Sequence, residues 1–231
     1  MRKVWFVTLF PKIVEEVFSH GVTGRYFSQG DLELRTVNPS DFNSKSFKGV
    51  DSPPYGGGPG VVLRADVLAK TLKEGILPHY QSLSELHVVY TSPRGQKWSN
   101  LEAKKMKEKC DNTDLVFICG RYEGVDERFI EAYVNEEFSV GDYVLSGGEL
   151  ACSIILDSTL RFFPRVLGNR ASYQADSFEN GLLDSPKYTR PREFEGKKVP
   201  SILLSGDHQK LKEYEYEKMV SETKLHRPDL L

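Results

Sequence analysis

Short apolar runs alternate with helical patterns over the first two thirds of the chain. Runs rich in β-branched and aromatic residues predict strands, at 4–10, 32–37, 86–91 and 114–120, with a further strand and turn within 138–149. Apolar residues at helical spacing predict helices between them, at 11–18, 66–76, 99–110, 125–134 and 149–160. This alternation is typical of an α/β domain with a mainly parallel sheet, which we place at residues 1–160.

The pattern changes after residue 160. Residues 161–200 are polar and rich in proline and glycine, and a helical period returns only at 205–224. We therefore expect a flexible interdomain linker at 161–176 and a small helical domain at 177–231. Basic residues outnumber acidic ones by eight to five within 161–198, a net charge of +3 that favours contact with nucleic acid.

Composition narrows the classes of protein that this chain can form. With 231 residues, 39% hydrophobic and 28% charged, the chain is neither disordered nor able to supply an 18-residue apolar membrane span. Three cysteines without CxxC spacing and the lack of a signal-peptide pattern indicate a cytoplasmic protein. The five scattered histidines give no zinc template, and a net charge of −2 gives no general nucleic-acid signal.

Three loops at predicted strand ends combine glycine with small polar residues: YTSPRGQ (90–96), ICGRYEG (118–124) and SVGDYVLSGGE (139–149). Ligands of open α/β sheets bind at the carboxyl ends of the strands, so three such loops together favour a small-molecule site over ordinary turns. No GxGxxG motif opens a helix, and PYGGGPG (54–60) lacks the Lys-Ser/Thr pair of a phosphate-binding loop. That glycine-rich segment is either an anion-binding nest or a flexible connector.

Three carboxylates in loops are candidates for chemistry. Glu123 follows a strand between glycines, where it either binds a polar substrate or a metal or is a plain surface charge. Asp176 and Asp184 flank SFENGLL and are idle unless that segment closes on a substrate.

With these loops in place, the chain resembles the TrmD family, the bacterial tRNA (guanine-N1)-methyltransferases of the SPOUT class. The resemblance covers nearly the whole length and rests on eleven strings in order: TLFP (8–11), GVTGR (21–25), NPSDF (38–42), PYGGGPG, YTSPRGQ, CGRYEGVDER (119–128), GDYVLSGGEL (141–150), LGNRAS (167–172), DSFENGLLDSPKYTRP (176–191), VP–LLSGDH (199–208) and RPDLL (227–231).

The resemblance implies a reaction and an assembly. Family members transfer the methyl group of S-adenosylmethionine to N1 of guanine 37 of tRNA, 3′ of the anticodon, when guanine 36 precedes it, which prevents frameshifting. They fold with a deep trefoil knot and act as homodimers with sites at the subunit interface, and residues 177–231 would bind tRNA. The implied donor-binding residues come from the three loops: Tyr90, Thr91, Ser92, Pro93, Gly95, Gly120, Tyr122, Val140, Gly141, Asp142, Tyr143, Val144, Leu145, Gly147 and Gly148.

The resemblance also implies roles in catalysis. Guanine N1 carries a proton at neutral pH, so a base must remove it, and the family pattern gives that role to Asp176 and the stabilisation of O6 charge to Arg161. Glu123 and Asp184 match positions linked to substrate placement and to a dependence on Mg²⁺, which can act through the bound RNA.

Two departures from the family pattern concern RNA contacts. Ser52 and Pro53 replace an Asp-Arg pair that precedes the PYGGGPG loop in many members. Acidic residues, Glu213, Glu215 and Glu217, flank Tyr214 in the last helix, where the family has basic residues and tryptophan. Methylation of another RNA site by a SPOUT enzyme and a non-catalytic RNA-binding protein are the alternatives. The aspartates at 176 and 184 argue against the first, and Asp176 together with Arg161 argues against the second.

Overall fold

A computed structural model of the chain describes residues 2–43, 49–167 and 176–231. The chain divides into two compact units, Met1–Gly168 and Asn169–Leu231. Half of the predicted linker, residues 168–175, lies outside the described residues, so its bounds of 161–176 and the domain limits beside it stay predictions.

A five-stranded parallel sheet forms the centre of the first unit and confirms the predicted fold class. Its strands are β1 (Arg2–Val7), β2 (Leu32–Val37), β5 (Leu86–Lys97), β6 (Asp114–Ile118) and β7 (Glu136–Ser139). Their order across the sheet is β2-β1-β6-β5-β7, and every neighbouring pair is parallel. The carboxyl ends of all five strands therefore meet at one edge, where a ligand of an open α/β sheet binds.

Helices cover both faces of this sheet. They are α1 (Pro11–Val17), α2 (Gly21–Ser28), α3 (Ala65–Lys70), α4 (Asn100–Cys110), α5 (Glu127–Tyr133) and α6 (Gly148–Leu160). One core packs α1, α2, α4 and α6 against the sheet around Phe6 and Phe117. The other packs α3, the π-helical turn Thr71–Ile76 and α5 against the opposite face around Val116. Burial on both faces explains why the central strands are almost continuously apolar.

A short hairpin of β3 (Asp51–Ser52) and β4 (Val62–Leu63) carries the PYGGGPG segment between its strands. The Leu63 N–H donates to Gly124 O over 2.9 Å, and the Glu123 N–H donates to Val61 O over 3.0 Å. These bonds attach the hairpin to the loop that follows β6.

Two predicted elements differ from the observed ones. β5 continues to Lys97 instead of ending at 91, because its register with β7 shifts between Thr91 and Gln96 and pairing then resumes. The helix predicted at 66–76 changes from α to π geometry at Thr71. The helix α2 was not predicted, since its two glycines lower the helix propensity of a short segment.

The second unit contains the hairpin β8 (Glu193–Phe194) and β9 (Lys197–Lys198) and the 19-residue helix α7 (His208–His226). The Thr223 side chain is buried in this unit, where it accepts a hydrogen bond from the Leu183 N–H and donates one to Met219 O. This threonine therefore attaches the segment around Leu183 to α7.

Among the described residues, no helix is long and apolar enough to cross a membrane. The trefoil knot implied by the resemblance stays a prediction.

Candidate functional site

A cavity of about 510 Å³ opens at the carboxyl edge of the sheet. Thirteen of the fifteen residues predicted to bind the methyl donor line it, namely Tyr90, Thr91, Ser92, Pro93, Gly120, Tyr122, Val140, Gly141, Tyr143, Val144, Leu145, Gly147 and Gly148. The three loops that the sequence predicts to form one site are thus brought together. Their donor-binding role stays a prediction.

Gly95 and Asp142 complete the predicted set and are not part of the cavity lining that the structure describes. A Cβ at Gly95 would lie 2.5 Å from Phe138 N, so this glycine allows the main chains of β5 and β7 to approach. Asp142 lies between two lining residues, Gly141 and Tyr143, in the loop after β7.

The loop after β7 meets the loop after β6 through main chain. The Gly148 N–H donates to Gly120 O over 2.8 Å, and a Cβ at Gly148 would lie 2.6 Å from Gly120 N. Gly147 is extended, with φ −177°, so it is required for space and not for backbone conformation. The glycines of the SGGE sequence therefore let two cavity walls touch.

Tyr122 and Gly141 adopt left-handed backbone conformations on the cavity wall, with φ values of 58° and 150°. A tyrosine in this region is uncommon, and such residues cluster at ligand sites. The Tyr122 side chain is 58% exposed, which makes its ring accessible to a ligand at the mouth of the cavity.

An arginine and two carboxylates beside the cavity are paired with one another. Arg94 Nε donates to Glu137 Oε1 over 2.8 Å, and Arg94 Nη2 donates to Glu127 Oε1 over 2.8 Å. These two carboxylates raise the pKa of Arg94. Burial and, to a lesser degree, the charge of Glu137 raise the pKa of Tyr90 to about 12, so this hydroxyl is neutral at physiological pH.

Behind the glycine wall lies a buried carboxylate, that of Glu149 in the first turn of α6. It accepts a hydrogen bond from Thr8 Oγ1 over 2.7 Å and forms an ion pair with Arg121, whose Nη2 lies 2.8 Å from Oε2. Arg121 lines the cavity and follows β6.

Glu123, one of the four predicted catalytic residues, is exposed and lines the cavity mouth. A Cβ at Gly60 would lie 2.6 Å from Glu123 Oε1. The last glycine of PYGGGPG therefore makes room for the Glu123 carboxylate. The glycine-rich segment thus lies beside a residue that lines the cavity.

The other three predicted catalytic residues are divided between the units. Arg161 is exposed and directly follows α6 in the first unit. Asp176 is half-buried in the second unit, where its carbonyl accepts the Glu179 N–H over 3.3 Å. Asp184 Oδ1 accepts the Ser185 N–H and lies 2.9 Å from Lys187 Nζ. Two intramolecular partners thus hold the Asp184 carboxylate.

The sequence prediction did not include several residues of the cavity. These are Arg94, Arg121, Gly124, Val125, Glu127, Ile130, Phe138, Ser139, Ser146 and Ala151. Five of them lie within the three predicted loops, so proximity in sequence could have found Arg94, Arg121, Gly124, Ser139 and Ser146. Ile130 and Ala151 line the cavity from helices that pack on opposite faces of the sheet, which only the fold reveals.

The described residues do not fit a metal site made by protein alone. They contain no group of three or more histidine, cysteine, aspartate or glutamate side chains arranged to hold an ion. Mg²⁺ binds through several oxygen ligands and retains water. We therefore derive no step through a protein-bound metal.

A family model described as tRNA (Guanine-1)-methyltransferase TrmD matches residues 2–231. The chain belongs to the TrmD family. This membership agrees with the parallel α/β architecture and with the resemblance in sequence.

Three curated relatives carry the name tRNA (guanine-N(1)-)-methyltransferase. The relative from Buchnera aphidicola subsp. Schizaphis graminum is 43% identical over 99% of this chain and 85% of its own length. The relative from Shewanella halifaxensis is 46% identical over 97% and 88% of the two chains. The relative from Vibrio cholerae is 44% identical over 99% and 90%.

Proposed function

We propose that this tRNA (guanine-N1)-methyltransferase uses S-adenosylmethionine to methylate guanine 37 of tRNAs that carry guanine at position 36. Membership of the TrmD family makes the chain an enzyme that methylates guanine in tRNA. The observation that supports the donor and its site is the convergence of three glycine-containing loops on one cavity at the carboxyl edge of the sheet.

The cavity suits the proposed donor in size and chemistry. A volume of about 510 Å³ lies within the range of small-molecule sites. The glycines at 120, 147 and 148 leave space on the cavity wall for a flat ring such as adenine, and Leu145 and Val140 give apolar contact. When bound, the sulfonium compound supplies an electrophilic methyl group.

Asp176 and Arg161 carry the acid–base chemistry in this proposal. The Asp176 carboxylate takes the proton from guanine N1, whose electron pair then bonds to the methyl carbon while the S–CH₃ bonding pair returns to sulfur. Arg161 stabilises the negative charge that develops on O6. Exposure of Arg161 supports access to a macromolecular substrate. Glu123 at the cavity mouth and Asp184 help to place the guanine, and Mg²⁺ acts through the RNA.

The chain acts as a cytoplasmic homodimer in this proposal, with each active site at the subunit interface. Exposed apolar side chains on α1 and α6 support the dimer, since α1 packs against α6 and the first turn of α6 lines the cavity. The three cysteines are free and buried, which suits a reducing compartment.

The decisive experiment incubates the protein with methyl-labelled S-adenosylmethionine and unmodified tRNA that carries guanine at positions 36 and 37. We expect one labelled methyl group at N1 of guanine 37, located by mass spectrometry of nuclease fragments. A tRNA with adenine at position 37 serves as the matched control and should stay unlabelled. Label at a ribose or at another base would instead support the alternative SPOUT activity.

A further inference from the structure

The buried carboxylate of Glu149 has no part in the proposed chemistry. It is 1% exposed and lies behind the cavity wall in the first turn of α6. Its Oε1 accepts hydrogen bonds from Thr8 Oγ1 over 2.7 Å and from Arg121 Nε over 3.2 Å. Its Oε2 lies 2.8 Å from Arg121 Nη2 in an ionic contact without hydrogen-bond geometry. The carboxylate therefore joins three segments that are distant in sequence.

Arg121 extends this connection to the loop after β7. Its Nη1 donates to Ser146 O over 3.0 Å, and its guanidinium carbon lies 4.3 Å from the centre of the Phe10 ring. One planar guanidinium thus contacts the carbonyl before Gly147 and the carboxylate after Gly148 at the same time. A lysine could not make both contacts, since its ammonium is a single point charge.

Gly147 lies directly on this ion pair. A Cβ at Gly147 would lie 2.3 Å from Arg121 Cζ and 2.6 Å from Glu149 Oε2. The ion pair therefore fills the space behind the glycine wall and sets how far the loop at 140–148 stands from the loop at 118–124. Both loops line the cavity.

We propose that Arg121 and Glu149 are positioning residues for the methyl donor, and that their ion pair fixes the spacing of the two glycine-containing walls. The inference rests on the proposed function, because it takes the cavity as the donor site. A buried ion pair contributes little net stability compared with apolar residues of similar size, so stability alone is a poor reason for this arrangement.

The protein offers a matched control at the opposite end of β6. Asp114 is also a buried carboxylate, and it accepts the Tyr80 hydroxyl over 2.6 Å and lies 3.6 Å from Arg2 Nη1. Asp114→Asn and Glu149→Gln therefore remove similar charges from similar surroundings. Only Glu149 borders the cavity wall.

The test measures the Kd of S-adenosylhomocysteine by calorimetry for the full chain, for Glu149→Gln, Arg121→Lys and Asp114→Asn, with the thermal unfolding midpoint of each. Because a displaced wall loses contacts to the ligand, and each lost hydrogen bond lowers affinity by up to about tenfold, we expect Kd to rise at least about tenfold in Glu149→Gln and Arg121→Lys. Asp114→Asn should lower the unfolding midpoint and leave Kd within about twofold of the unsubstituted protein.

Three results would overturn the inference. If folded Glu149→Gln binds S-adenosylhomocysteine as tightly as Asp114→Asn does, the ion pair is structural only. If Asp114→Asn weakens binding equally, the effect is a general loss of stability. If the unsubstituted protein does not bind the compound, the donor proposal itself fails, and this outcome is distinct from the first two.

Discussion

Asp176 is the residue on which the proposed chemistry depends most. A carboxylate is a weak base towards a ring N–H, so Asp176 needs the substrate in place to remove a proton from guanine N1. General base catalysis contributes about 10²–10⁴-fold to a rate. We therefore expect Asp176→Asn to lower the single-turnover rate of methyl transfer by at least about 100-fold, with the Kd of S-adenosylhomocysteine unchanged. Rapid-quench kinetics measures the rate.

The matched control for this variant is Glu179→Gln. Glu179 is a second carboxylate in the same turn, and its N–H donates to Asp176 O. This variant should keep the single-turnover rate within about twofold of the unsubstituted protein, as surface changes generally do. Normal turnover by Asp176→Asn would exclude Asp176 as the base.

In the proposed mechanism, Arg161 lowers a different part of the activation barrier. If its guanidinium stabilises charge that develops on O6 only during the reaction, its loss lowers kcat more than it raises KM for the methyl donor. We expect Arg161→Ala to reduce kcat by about 10²–10³-fold, the range for a lost oxyanion donor. Steady-state kinetics with varied S-adenosylmethionine separates kcat from KM.

Arg165→Ala is the control for Arg161→Ala. Arg165 lies four residues further along the chain, and its Nη2 donates to Asp31 Oδ1 over 2.8 Å. A uniform loss in both variants would indicate lost attraction for tRNA instead of a role at O6, because both changes remove one positive charge from the segment after α6.

For the glycines of the three loops, the sequence predicted that they lie together but not why each position needs a glycine. Glycines in the three loops indicated a ligand site, and most of them line one cavity. Sequence alone could not reveal that Gly95 makes room for β7, that Gly60 makes room for Glu123, or that Gly147 covers an ion pair. These reasons depend on contacts between segments far apart in the chain.

Among the secondary-structure elements, the pairing of β5 with β7 contains a pH-sensitive contact. His87 Nε2 and Glu136 Oε2 lie 2.7 Å apart, and Glu136 also pairs with Lys109. Burial lowers the pKa of His87, although the hydrogen bond to the Glu136 carboxylate opposes this effect and Lys109 adds to it. The folded protein therefore disfavours the charged imidazole.

The sign of the pH dependence follows from this lowered pKa. Below about pH 6.5 the unfolded chain protonates His87 more readily than the folded protein does, so the stability from this residue is present above pH 6.5 and lost as pH falls. We expect the free energy of unfolding in urea to fall from pH 7.5 to pH 5. His87→Gln should make that fall smaller, whereas an equal slope in both proteins would contradict the assignment.

The element pattern could be predicted where apolar periodicity is strong. The strands at β2, β5 and β6 and the helices α4, α5 and α6 follow their predicted ranges closely at one or both ends. The continuation of β5 through YTSPRGQ could not be predicted, since its proline and glycine indicate a loop. Pairing with Phe138 and Ser139 of β7 overrides that local preference.

For the whole molecule, the sequence predicted a parallel α/β unit followed by a second unit. Alternating strands and helices carry that information locally. The cavity could be predicted only with the strand order, because its walls are the loops after three strands and β5 lies between β6 and β7. No local pattern specifies this order, because it depends on which distant strands pair.

The proposed homodimer requires a self-complementary apolar surface. Ile154 and Leu150 on α6 are 45% and 47% exposed, and Ile13 and Val17 on the adjacent helix α1 are also partly exposed. The opposite face of α6 is buried through Cys152 and Ile155, so one helix joins the core, the cavity and this surface. A dimer through this face would place the cavity near the second subunit.

Ile154→Asp tests this surface directly. Because the side chain is partly exposed in the single chain, the substitution should spare folding, yet a buried carboxylate at a dimer contact is costly. We expect the sedimentation mass at micromolar concentration to fall from twice the 26.2 kDa of the chain towards the single value. Methyl transfer should fall at least about tenfold with it, since two subunits build each proposed site.

Leu83→Asp, on an exposed turn before β5, is the control and should stay dimeric and active. A dimeric, active Ile154→Asp protein would mean that the subunits meet through another face.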